Sequence, residues 1–106
     1  MSEFNTDKVT SDVIKAVTNI LGQTVEINSK SIAFQMGQYV AAYKYLKDNW
    51  DDFEPDTRML HEQQIQDSMT TILKGYEGVS AMAAKQAVNA AFEVIVEAAG
   101  KFIRLL

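Results

Sequence analysis

Four stretches of this chain repeat their apolar residues at helical spacing, and glycine, proline or a capping residue marks each break between them. From Thr6 to Leu21 the apolar row is Val9, Val13, Ala16 with Val17, and Ile20, while Lys8, Ser11, Asp12, Lys15 and Asn19 fall on the opposite side. That is an amphipathic helix with one buried stripe. Asn5 or Thr6 supplies its N-cap, Asp7 sits at its positive end, and Gly22 stands where a left-handed residue closes a helix. The six residues from Gln23 to Asn28 alternate polar and apolar. With no second strand candidate beside them, they read as a linker that tucks Val25 and Ile27 into the core.

Asn28 or Ser29 then caps a second helix reaching Trp50. Its seam is Ile32, Met36, Tyr39, Tyr43, Leu46 and Trp50, with steps alternating between four and three residues. That is the spacing of helices packed side by side. Phe34, Val40, Ala41, Ala42 and Tyr45 add apolar surface beyond the seam. Pro55 disfavours helix at the residue before it and suits the first turn of a new one, so a corner falls at residues 50–54 and a third helix runs to Lys74. The third seam is His61, Ile65, Met69, Ile72 and Tyr76. Gly75 and Gly78 end that helix and admit a tight reversal. The fourth helix, over residues 80–104, has the seam Val88, Phe92, Ile95, Ala99, Phe102 and Leu106.

Short connections imply antiparallel neighbours. The pattern therefore predicts an all-α fold: a single domain over residues 1–106, built as a four-helix up-down bundle with helices over 6–21, 29–50, 55–74 and 80–104.

The fourth helix departs from the usual pattern. Its polar residues Lys85, Asn89, Glu93, Glu97 and Lys101 recur every four positions as a narrow stripe, and most of the remaining circumference is alanine, valine, isoleucine or phenylalanine. A surface helix of a small bundle shows an apolar stripe of only about 100°. Three explanations compete: this helix is central in its own bundle, its second face meets another chain and oligomerisation completes the fold, or it lies on a membrane surface. The tyrosines and Trp50 of the second helix favour association, because such side chains are enriched at interface cores. On this reading the contact residues are Tyr39, Tyr43, Trp50, Val94, Ile103 and Leu105.

Composition narrows the classes of function. The 106 residues hold ten Lys and Arg against fourteen Asp and Glu, a net charge of −4. The basic residues are scattered, which argues against binding a phosphate backbone. The absence of cysteine excludes disulfides and thiolate chemistry, and with no signal peptide in Met1-Ser2-Glu3-Phe4-Asn5 it predicts a cytoplasmic protein. No window is apolar for long enough to span a membrane.

Candidate chemistry is sparse. The acidic corner Asp48, Asp51, Asp52, Glu54 and Asp56 lacks the glycine and the closing glutamate of a calcium loop in either register, so it reads as a solvated corner. His61 is the one histidine and falls on an apolar row without a partnered nucleophile. Glu93 and Glu97 read as part of a solvent stripe rather than as paired catalytic carboxylates. No catalytic, metal or cofactor site is expected, and the chain is not expected to be an enzyme. The expectation is a helical module that binds itself or another protein, as small accessory, immunity or inhibitor proteins do. The alternative is a small helical ligand-binding protein or enzyme, with a pocket between the second and third helices lined by Tyr43, Trp50 and His61.

Overall fold

The computed structural model describes residues 4–100. They form four packed helices: α1 (Thr6–Leu21), α2 (Gln23–Asp48), α3 (Pro55–Lys74) and α4 (Ala81–Ala99), with a single 3-10 turn at Trp50–Asp52 between α2 and α3. Among the described residues there is no strand.

The helix ends follow local chemistry. Asn5 has extended backbone and its side-chain oxygen accepts the Lys8 N–H at 2.9 Å, which satisfies one of the free donors of the first turn. Phe4 before the cap and Val9 in the next turn are both buried, the two positions of a hydrophobic staple. Gly22 (φ 52°, ψ −117°) adopts a conformation that side chains strain to reach. Its N–H closes α1 onto the Thr18 carbonyl, while its own carbonyl receives the N–H groups of Val25 and Glu26. One residue therefore ends α1 and begins α2. Ser80 caps α4 by accepting the Ala83 N–H at 3.1 Å.

Two expectations about boundaries need correction. Residues 23–27 are helical rather than a linker, so α2 starts at Gln23, and the expected start at 29 coincides with a break inside it at Asn28. Asn28 (φ −109°, ψ 21°) kinks the helix, and its side chain donates to the Thr24 carbonyl at 2.9 Å instead of capping a new start. Helical rather than alternating geometry also means that Val25 and Ile27 cannot face the same way. Val25 is buried and Ile27 is exposed. At the other end of the chain α4 stops at Ala99, where Gly100 leaves the helix with φ 105°. The expected continuation to Arg104, and the seam residues Phe102 and Leu106, lie outside the described residues.

The core is drawn from all four helices: Val13 and Val17 of α1, Ile32, Met36, Val40 and Tyr43 of α2, Met69 and Leu73 of α3, and Val88 and Ile95 of α4, all fully buried. Leu73 takes the place at the end of the third seam that the sequence assigned to Ile72 and Tyr76, which are only half-buried. Ile20, expected on the first stripe, is exposed, and Leu21 packs against the core instead. Tyr76 has a different task. Its hydroxyl donates to Gln35 Oε1 at 2.6 Å and shares a hydrogen bond with Ser31 Oγ at 2.7 Å, tying the α3–α4 turn to α2.

α4 packs against α1 on one side and α3 on the other. Its buried residues are Ala84, Ala87, Val88, Ala91, Ile95, Val96 and Ala99, and Phe92 and Val94 pack partly against the same core. Much of the wide apolar circumference of α4 is thus covered within the chain as far as Ala99, although Met82 and Ala98 stay exposed. Four of its seven buried residues are alanines, which let neighbouring backbones approach closely.

Candidate interaction surfaces

Large apolar side chains are exposed on all four helices: Ile20 on α1, Met59 and Leu60 on α3, Met82 on α4, and three on α2. Phe34 is 69% exposed and Tyr45 64%, and Ile27, one heptad before Phe34, is 73% exposed. At 100° per residue, Ala41 and Tyr45 project within about 20° of Phe34 around the helix. Gln38 and Ala41, both exposed, fill the stripe between the two aromatic rings. Single exposed apolar side chains are unremarkable on a protein surface, whereas large ones aligned along one helix face make a candidate contact surface. Lys30 and Asp48 are exposed on one flank of this stripe. Asp48 accepts from Lys44 Nζ at 2.6 Å, whereas no ion pair involves Lys30 among the described residues.

Two grooves flank α3. The larger, between α3 and α4, has a volume of about 710 Å³ and is walled by Trp50, Arg58, Met59, Glu62, Phe92 and Glu93. Arg58 organises its end. The guanidinium lies 4.7 Å over the Trp50 ring, and Nε donates to the Trp50 carbonyl at 2.8 Å. Trp50 is 9% exposed, and its Nε1–H is the buried side-chain donor without a partner among the described residues. The smaller groove, about 410 Å³ between α2 and α3, is lined by Tyr39, Tyr45, Phe53 and His61 among others. The half-buried His61 ring meets Phe53 edge-on at 5.1 Å.

The residues expected at a contact surface are dispersed. Tyr43 is wholly buried: its hydroxyl donates to Glu62 Oε2 at 2.8 Å and its ring stands at 89° to Phe92, 5.4 Å between centroids. Trp50 closes one end of the core, Tyr39 and Val94 are half-buried against it, and Ile103 and Leu105 lie outside the described residues. Nor do Tyr43, Trp50 and His61 line one pocket between α2 and α3. Trp50 faces the α3–α4 groove, His61 the α2–α3 groove, and Tyr43 lies buried in the core. The burial of Tyr43 depends on an acceptor nineteen residues away in sequence, so no local pattern announces it. Phe34 and Tyr45 carried a readable signal, as apolar residues beyond the seam of their own helix.

Among the described residues no group of three or more His, Asp or Glu side chains is placed to hold a metal ion, the acidic corner included. None of their helices is long and apolar enough to cross a membrane. Compared with models of known protein families, with curated proteins and with solved structures, the chain finds no match.

Proposed function

We propose that this protein is a non-enzymatic helical interaction module whose contact surface is the outer face of α2, and that it self-associates through it. The observation that carries the reading is the exposed row Ile27, Phe34 and Tyr45 on a helix whose inner face already completes the core. Burying such side chains on association contributes about 1.5–3 kcal/mol each when they become fully covered. Binding or inhibition of another macromolecule in the cytoplasm is consistent with this use, with the assembled surface as the working one.

Hydroxyl-radical footprinting in dilute and concentrated solution tests the reading. Phe34 and Tyr45 are expected to become protected as concentration rises, while Met59 and Met82, both exposed and off the stripe, stay equally reactive. Labelling of Phe34 and Tyr45 that is independent of concentration would count against self-association by this face.

The α3–α4 groove supports a second reading, ligand binding, because its volume matches that of small-molecule sites and its wall holds the unpartnered Nε1 of Trp50. Trp50 is the one tryptophan, so its fluorescence reports directly on the groove. A flat response across a metabolite panel would leave only the interaction reading.

A further inference from the structure

The outer stripe of α2 carries an aromatic ring toward each end and opposite charges, Lys30 and Asp48, along one flank. We infer, on the basis of the self-association reading above, that its occupant is a second copy of the chain docked antiparallel, α2 against α2, about a two-fold axis lying between Tyr39 and Val40. Isologous contact of this kind is the commonest way soluble proteins form dimers.

The two large aromatic side chains, Phe34 and Tyr45, stand at equal distances either side of that point on the exposed face. Reversing one helix against the other therefore lays Phe34 of each copy on Tyr45 of the other. An offset or edge-on aromatic pair of this type contributes beyond its buried area, and the symmetry makes the pair twice. At the centre the stripe narrows to Gln38 and Ala41, which face one another across the axis. The small Ala41, with exposed Ala42 beside it, lets the helices approach where their backbones cross.

The flanks agree with the same register. Residues on one side of the stripe remain on that side after a two-fold rotation, and Lys30 and Asp48 share a side, each about 40° from Phe34 at 100° per residue. The rotation brings Lys30 of one copy to within one position of Asp48 of the other, again twice. Lys30 has no ion-pair partner within the described part of its own chain, and Asp48 belongs to the acidic corner that continues through exposed Asp51 and Asp52. On the opposite flank, Ser31 of one copy meets Asn49 of the other. A parallel pairing would instead leave Lys30 and Asp48 about 27 Å apart along the helix axis, so the charge pair could not form.

Cysteine cross-linking reads the register directly, because the chain contains no cysteine of its own. Four single variants are made at exposed positions: Phe34→Cys, Gln38→Cys, Ala41→Cys and Tyr45→Cys. Mild oxidation or a short bis-maleimide should link Gln38→Cys to itself and Ala41→Cys to itself, since each lies within about 5 Å along the axis of its own symmetry mate. Phe34→Cys and Tyr45→Cys should not link to themselves, being about 16 Å from their mates along the helix, but a mixture of the two should form the hetero-linked species. Separately, Lys30→Glu should weaken dimerisation about threefold to tenfold, and Asp48→Lys added to it should restore the affinity.

Self-linking of Phe34→Cys or Tyr45→Cys at a yield equal to Gln38→Cys would overturn the antiparallel register. A dimer by mass that cross-links at none of the four positions would overturn the choice of α2 while leaving self-association standing. A chain that stays monomeric in wild-type form, with circular dichroism unchanged in the variants, would remove the self-association reading itself.

Discussion

α4 and α2 both carry more apolar surface than one stripe requires, yet the fold treats the two surpluses differently. On α4 the surplus is mostly alanine and valine, and the helix lies between α1 and α3, so Ala84, Ala87, Ala91 and Val96 are buried on flanks that would otherwise face solvent. On α2 the surplus is large and aromatic. Its inner face is filled by Ile32, Met36, Val40 and Tyr43, while Phe34, and Tyr45 at the rim of the α2–α3 groove, stay largely exposed. Small apolar residues let a helix be central. Large ones on the outside stay exposed, and those on α2 are the proposed contact face.

The contrast is broken most directly by truncating one side chain of each kind. Ile95→Ala on α4 should cost about 2–5 kcal/mol in urea unfolding, because a fully buried site loses transfer free energy and gains a cavity. Phe34→Ala on α2, measured in dilute solution, should change stability by no more than about 0.5 kcal/mol. Equal costs at the two positions would mean that Phe34 is packed inside.

Gly22→Ala should cost about 1–3 kcal/mol. Nothing lies within 4 Å of the added Cβ, so the penalty is conformational, set by φ 52° at the hinge where α2 begins. A thermal melt that shows no change would place the α1–α2 junction elsewhere. Tyr43→Phe should lose about 0.5–1.5 kcal/mol with the hydroxyl that bonds Glu62, and no association strength. Weakened dimerisation in that variant would return Tyr43 to the contact surface.

Gly37→Ala provides the smallest and opposite effect. The added Cβ would meet Thr10 of α1 at an ordinary 3.7 Å, so the close crossing does not demand glycine. Helix propensity should then stabilise the variant by about 0.5–1 kcal/mol, read as a higher urea midpoint. A loss would show α1 and α2 more tightly packed than this distance indicates.

What was legible in the sequence was what local chemistry encodes. The ends of α1 and α3 fall at Thr6, Leu21, Pro55 and Lys74 as expected, because Asn5, Gly22 and Pro55 act on their own neighbours. The start of α2 was not, since a six-residue alternating pattern fits a strand, a linker and a kinked helix alike. The contact face was half legible. Apolar periodicity showed that α2 and α4 each had surface to spare, but only tertiary placement shows which surplus a neighbouring helix covers. Tyr43 and Trp50 resembled interface residues by type, and the fold spends them on its own core through Glu62 and Arg58. Phe34 and Tyr45, which lie off the seam, are exposed instead.

A second copy is proposed to bind the outer face of α2. The most direct test is the absolute mass by light scattering, across a hundredfold range of concentration, of the wild-type chain and of Phe34→Asp. The account predicts that the wild type rises to twice the 11.8 kDa of one chain while Phe34→Asp stays at 11.8 kDa with an unchanged melting curve. A single-chain mass for both proteins, or the same doubled mass for both, would contradict it.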